Sequence, residues 1–161
     1  LNSKEILIEM TDHTKRRNLD DSRAETVRIL DDAKNFFWFT VDGEEKIATE
    51  NLVPGKQVYN EKLLLKKGIE YRLWDPFRSK LAASVMNGLN DFPFTEKSNI
   101  LYLGVSTGTT ISHISDIIGP NGIVFGVEHS SRVARDFLDR VASHRKNIIV
   151  LIFTTKNSKL H

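Results

Sequence analysis

The run "NILYLGVSTGTTISHISDIIGPNGIVFGVEHSSRVARDFLDRVASHRKNIIVLIF", residues 99–153, constrains this chain more than any other stretch. Three apolar segments of strand length, "NILYLGV", "GIVFGVEH" and "NIIVLIF", alternate with two of helical period, "TTISHISDIIG" and "SRVARDFLDRVASH". The first helix is stopped by Gly119-Pro120. Strands this apolar, joined through helices, predict βαβ units on a parallel sheet covered on both faces.

The turn after the first strand admits two chemistries. Gly104-Val105-Ser106-Thr107-Gly108 has the G-x-S-x-G spacing of a hydrolase nucleophile elbow and also the glycine pattern of a nucleotide-binding turn. An elbow serine needs an acid and then a histidine from strands further along. Asp136 or Asp139 with His144 would lie on one helix, which cannot aim an imidazole at Ser106. The cofactor reading fits better: Gly104 and Gly108 allow a tight strand-to-helix turn, and free amides near Thr109 and Thr110 would face a ligand. Glu128 ends the next strand, placed to accept hydrogen bonds from ribose hydroxyls. These signals cover binders of NAD, FAD and S-adenosylmethionine alike. No Gly-Lys-Ser/Thr follows, so the turn is not a P-loop. His113 reads as a packed or surface helix residue, and His129 as ring surface beside an adenosine.

Upstream, the period changes. "FFWFTVDGEEKIAT" sets two β-prone runs around Asp42-Gly43, a type I′ hairpin dipeptide, and "KQVYNEKLLL" and "GIEYRLW" add strand signals between the turns "VPG" and "KKG". About four short antiparallel strands are expected. Ser79 then caps a helix whose buried face, Leu81, Ala82, Val85, Met86 and Leu89, runs to about Asn90. In the charge-dense first 35 residues, Ser22 and Glu25 have capping-box spacing before an apolar stripe, predicting a helix over roughly 22–34. The "KRR" at 15–17 is offset by acidic flanks and reads as solvated. The expected divisions are a polar extension at 1–35, an antiparallel region at 36–78, a parallel α/β region at 79–152 and a divergent tail at 153–161.

Composition bounds function only loosely. The chain has 161 residues, no cysteine and a net charge of +2, with the basic excess in the last third: seven Lys and Arg against four Asp and Glu over 99–161. That excess is a mild hint of a polyanion partner. Without cysteine there are no disulfides or thiolate metal sites, which suits an intracellular protein and argues against redox chemistry. No apolar run approaches the roughly 20 residues that span a bilayer, and no signal peptide is seen.

Longer motifs narrow the reading. "NLVPGKQVYNEK", "EYRLWDPFRSKLAA", "NILYLGVSTGTTISHISDIIGPNGIVFGVEHSSR" and "RKNII", in this order and spacing, resemble fibrillarin over about residues 36–151. "IATENLVPG" and the lack of a Gly/Arg-rich N-terminal tract resemble the archaeal branch. The implied fold is an antiparallel N-terminal region followed by part of a Rossmann-like class I S-adenosylmethionine-dependent methyltransferase sheet. The implied activity is methyl transfer from S-adenosylmethionine to a ribose 2′-hydroxyl of rRNA or tRNA within a box C/D guide ribonucleoprotein. The implied partners are the guide RNA, a Nop-type scaffold protein and a kink-turn-binding protein of ribosomal type. Location would be cytoplasmic in an archaeon and nucleolar in a eukaryote.

The resemblance also assigns residues. Gly104, Ser106, Gly108, Thr109, Thr110, Glu128 and His129 would surround the cofactor, and Lys80 in "RSKLAA" is the first lysine of a Lys-Asp-Lys-His set around the 2′-hydroxyl. The other three members find no positions here, nor does the family's acidic Gly-Asp-Ala turn after "NIIVLI". On this reading residues 153–161 and the first 35 look unrelated to the family. The chain is therefore expected to be a truncated, alternatively spliced or mispredicted product, and the alternative to an enzyme is an inactive fragment keeping partner-binding surface.

Overall fold

The computed structural model of the protein describes residues 24–29, 36–89 and 91–153. Two sheets meet across one helix. The first sheet contains β1 (Ala24–Ile29), β2 (Phe36–Val41), β3 (Glu44–Glu50), β4 (Leu63–Lys66) and β5 (Ile69–Leu73), in the order β1-β2-β3-β5-β4 with every pairing antiparallel. Asp42 and Gly43, with φ of 54° and 80°, close the β2–β3 hairpin with two positive-φ residues, the type I′ requirement. Period-two alternation puts Phe37, Phe39 and Val41 with Ala48, Leu64 and Tyr71 in one apolar cluster, where Tyr71 meets both Phe37 and Phe39 edge-on at 5.0 Å.

Three expectations are corrected here. Residues 24–29 form a strand, not part of a helix over 22–34: they pair with β2, Val27 opposite Phe39 and Ile29 opposite Phe37. Thr26, Val27 and Ile29 are β-branched, and the open edge of β2 offers a ladder of backbone partners that an isolated helix lacks. The rest of the expected helix lies outside the described residues. "KQVYN" is not strand, since the Glu61 carboxylate gathers the amides of Val58 and Tyr59 into a tight loop before β4. The helix after Ser79 is shorter than expected. α1 runs Lys80–Met86, Ser79 Oγ accepts from the Ala82 amide, and Gly88 with φ of 89° follows the stop. Met86 and Leu89 are consequently half-exposed, while Ala82 and Val85 are buried.

The second sheet is parallel, β6 (Asn99–Leu103), β7 (Ile123–Glu128) and β8 (Ile148–Ile152) in that order, with α2 (Thr109–Ile118) and α3 (Ser131–Arg140) as crossovers. Both helices pack on the same face. Ile111, Ile114 and Ile118 of α2 and Phe137 of α3 share a core with Ile100, Tyr102, Val124, Ile148 and Val150. The other face is bare among the described residues, correcting the expectation of cover on both: Leu101 is 64% and Leu103 72% exposed. Successive right-handed crossovers without a reversal of strand order can clothe only one side.

The helix α2 is shared by both halves. Its Ile117 turns away from the parallel sheet into a second core with Ile47, Trp74, Ala82 and Val85. Its polar side faces the first sheet. The Asp116 carboxylate accepts from Thr49 Oγ1 at 2.9 Å and Arg72 Nη1 at 2.8 Å on one oxygen, and from the Leu52 amide at 3.0 Å and Arg145 Nη1 at 2.5 Å on the other. Arg72 also donates from Nε to Glu61 at 2.6 Å and from Nη2 to Ser112 at 2.9 Å. His113 stacks on Trp74 at 4.8 Å, with Nδ1 2.8 Å from Thr49 Oγ1 and Nε2 2.8 Å from the Tyr59 hydroxyl.

Buried charges hold a fold only while all their partners are present. Replacing Arg72 by Ala would strand Glu61 and Asp116 without their shared cation, so a loss of about 3–5 kcal/mol is expected in denaturant unfolding. The same junction sets a pH dependence. Burial, with Arg72 and Arg145 nearby, pushes the His113 imidazole well below its usual range. The fold therefore keeps His113 neutral where the unfolded chain takes up a proton, and stability falls as pH drops below the unfolded imidazole value of about 6.5. Calorimetry from about pH 7.5 to about pH 5 should show a falling midpoint, and His113→Gln should flatten that slope.

Candidate functional site

The carboxyl ends of β6 and β7 and the N-termini of α1 and α2 meet at one place. β6 ends at Leu103, and Gly104 with φ of 81° turns the chain so that the amides of Gly104 and Val105 both donate to Val127 O, at 2.9 and 3.2 Å. Val105 drops into the core, while Ser106 and Thr107 point to solvent, Ser106 itself at a φ of 50°. Gly108 is the N-cap of α2 with φ of 91°, and no side chain caps that helix. A Cβ on Gly104 would meet nothing within 4 Å, so the outer side of the turn is open. A Cβ on Gly108 would come within 2.8 Å of the Phe137 ring and 3.0 Å of Val141, so this glycine is required by the packing of α2 against α3.

Glu128, the last residue of β7, braces the turn. One carboxylate oxygen accepts from the Ser106 amide at 3.2 Å, the other from the amides of His129 at 3.1 Å and Ser130 at 3.0 Å. These bonds, that from Ser130 foremost, hold its pKa below the usual carboxylate range. Glu128 thus ties two loops together with backbone bonds of its own, a role its expected contact with ribose hydroxyls did not include. The His129 side chain is 90% exposed, its Nδ1 3.2 Å from the same carboxylate. Thr109 is buried, and its carbonyl accepts from Ser112 Oγ.

One contact brings the expected lysine to this place. Thr110 Oγ1 donates to Ser79 Oγ at 3.0 Å, joining the cap of α1 to the first turn of α2. Lys80 follows Ser79 as the first residue of α1 and is exposed. Neither Ser79 nor the Thr110 hydroxyl was singled out for this from sequence, although Ser79 was read correctly as a cap. The nucleophile elbow finds no support: among the described residues no imidazole hydrogen-bonds Ser106, and His113 is fully buried against Tyr59 and Thr49. A cavity of ≈ 750 Å³ opens elsewhere, against the first sheet, between Lys46, Tyr59, Trp74, Phe77, Arg78 and Met86. No helix among the described residues is long and apolar enough to cross a membrane.

The arrangement is matched by known proteins. The fibrillarin family model matches residues 22–159. This chain belongs to the fibrillarin family. The match extends beyond the expected limits of 36 and 151, so the segment from 22 and most of 153–161 are not foreign to the family. The fibrillarin-like rRNA/tRNA 2′-O-methyltransferase of Pyrococcus abyssi is 51% identical over 111 residues, which are 69% of this chain and 48% of that protein. The crystal structure of Aeropyrum pernix fibrillarin in complex with natively bound S-adenosyl-L-methionine superposes with a TM-score of 0.77 at 44% identity, over 81% of this chain and 57% of the other. A fibrillarin/Nop5p complex matches with a TM-score of 0.56 at 34% identity, over 72% of this chain and 50% of the other. The fold is thus that of a fibrillarin: an antiparallel sheet followed by part of a Rossmann-like methyltransferase sheet. The chain spans about half the length of the curated relatives it matches.

The two glycines of this fibrillarin turn can be separated by experiment. Gly108→Val must crowd Phe137 and Val141 at a positive φ, so a stability loss of about 2–4 kcal/mol is expected in denaturant unfolding. An unchanged midpoint would mean that α3 yields freely to the added side chain.

Proposed function

We propose that the chain binds S-adenosylmethionine at the glycine turn and that its fold serves methyl transfer to a ribose 2′-hydroxyl of rRNA or tRNA. The observation that carries this reading is the Thr110–Ser79 bond, which ties the N-terminus of α1, where Lys80 is the first residue, to the first turn of α2 that follows the glycine turn. The residues present suit the cofactor. Gly104 leaves room for close approach, the first amides of α2 have no side-chain cap, and Glu128 retains lone pairs beyond those its three amide donors use. Gly104, Ser106, Gly108, Thr109 and Thr110 would frame the methionine part, with Glu128 and His129 on the ribose side. The bound cofactor supplies an electrophilic methyl group.

The protein's own contribution is position and charge. The 2′-hydroxyl is a weak nucleophile, and Lys80 presents an ammonium donor that would hold it and stabilise the negative charge that develops on its oxygen as the hydroxyl proton passes to water. Target choice would fall to a box C/D guide RNA. A Nop-type scaffold and a kink-turn-binding protein would complete the particle, in the cytoplasm of an archaeon or the nucleolus of a eukaryote. The match to a fibrillarin/Nop5p complex supports the scaffold. The proposed functional divisions remain 36–78 for the antiparallel region and 79–152 for the cofactor region, with β1 adding a strand to the former.

Calorimetric titration with S-adenosylmethionine should give saturable binding that Gly104→Val weakens and Lys80→Met leaves unchanged. Methyl transfer in a reconstituted guide particle should then fall about 100-fold or more in Lys80→Met. Absence of cofactor binding would overturn the proposal, and unchanged transfer would make Lys80 a solvated helix residue.

A further inference from the structure

The turn Asp75-Pro76-Phe77-Arg78 leads directly into Ser79 and Lys80, and it displays an aromatic ring. Phe77 is 98% exposed, the most exposed of the large apolar side chains among the described residues. It is not loosely held at the backbone. Its amide donates to Asp75 Oδ1 at 2.8 Å, the Arg78 amide donates to Asp75 O at 3.2 Å, and the Asp75 amide donates to the Tyr59 hydroxyl at 3.2 Å. That hydroxyl in turn is fixed by His113 of the buried junction. Arg78, the next residue, lies over the Tyr59 ring at 5.7 Å from its centroid, with its Nε 3.8 Å from Asp75 Oδ2. An apolar ring that contributes nothing to a core is held outward, one residue before the exposed Arg78 and three before the exposed Lys80.

We propose that Phe77 is a stacking platform for an unpaired RNA base next to the reacting ribose, with Arg78 beside it for the adjoining phosphate. The assignment rests on the RNA methyltransferase reading of the same site. Single-stranded bases are recognised by stacking on aromatic faces and by flanking cations, and every base has a face to offer. A stacking residue three positions before Lys80 would orient a nucleotide without reading its identity, which suits a protein whose target is chosen by a guide. Of the acids that line the neighbouring cavity, Glu61 is paired with Arg72 and Glu44 with Lys46.

The test uses the 161-residue chain and a short single-stranded RNA carrying 2-aminopurine. Binding should quench the probe. Phe77→Ala should weaken RNA affinity about tenfold and relieve the quench, while Phe77→Trp restores both. Thermal midpoints should be equal for all three proteins, because Phe77 is outside the core. Equal RNA affinity in Phe77→Ala, or no RNA binding by the unaltered chain, overturns the assignment. Loss of self-association in sedimentation with RNA binding unchanged would place Phe77 in a protein interface and overturn it too. S-adenosylmethionine affinity, measured on the same samples, separates the two claims. Cofactor binding without an RNA effect of Phe77 sinks only the platform, whereas an RNA effect without cofactor binding sinks the methyltransferase reading and with it the placement of the stacked base beside a reacting ribose.

Discussion

The carboxylate of Asp116 is where distant parts of the chain are held in one orientation. Donors to it come from β3, the loop after it, β5 and the segment before β8, and it is itself on α2. Arg72 and Arg145 are matched by Asp116 and Glu61, so the buried group is neutral as a set. The neutrality matters because each ion alone would cost several kcal/mol to desolvate. Glu61 shows the balance: burial would raise its pKa, but Arg72 and the Tyr59 and Val58 amides outweigh this and hold it below the usual carboxylate range. The set specifies one orientation of the antiparallel sheet on α2, where apolar contact between Ile117 and Ile47 alone would tolerate sliding.

That orientation is what assembles the candidate site. The cofactor turn belongs to the parallel half, and Lys80 and Phe77 belong to the segment leaving β5. The two halves are joined because α2 is clamped on both sides: its isoleucines on the parallel sheet, and its Ser112, His113 and Asp116 on Arg72, Tyr59 and Thr49. Ser79 and Thr110 then close the last gap. Burial pushes the Tyr59 phenol up from its ordinary value, so it stays protonated and remains able to anchor both His113 and the Asp75 turn. The chain of contacts from the junction to Phe77 is therefore continuous and made of directional bonds.

The sequence alone determined the parallel βαβ order, the I′ hairpin at Asp42-Gly43, the cap at Ser79 and the glycine turn with Glu128 one strand later. Each is a local pattern whose physics acts within a few residues: apolar period, positive φ, or an orphan amide needing an acceptor. Tertiary structure decided the rest. Residues 24–29 are strand because β2 offered a ladder, Gly108 is small because Phe137 lies against it, and Asp116 and Arg72 are buried because each found the other. In the sequence, "ISHISDII" and "EYRLW" show polar residues inside apolar runs, a signal of buried pairing but not of the partner's identity. Partners 44 residues apart in the chain are chosen by how the sheets dock, and docking depends on shape and charge summed over the whole interface, which no local pattern encodes.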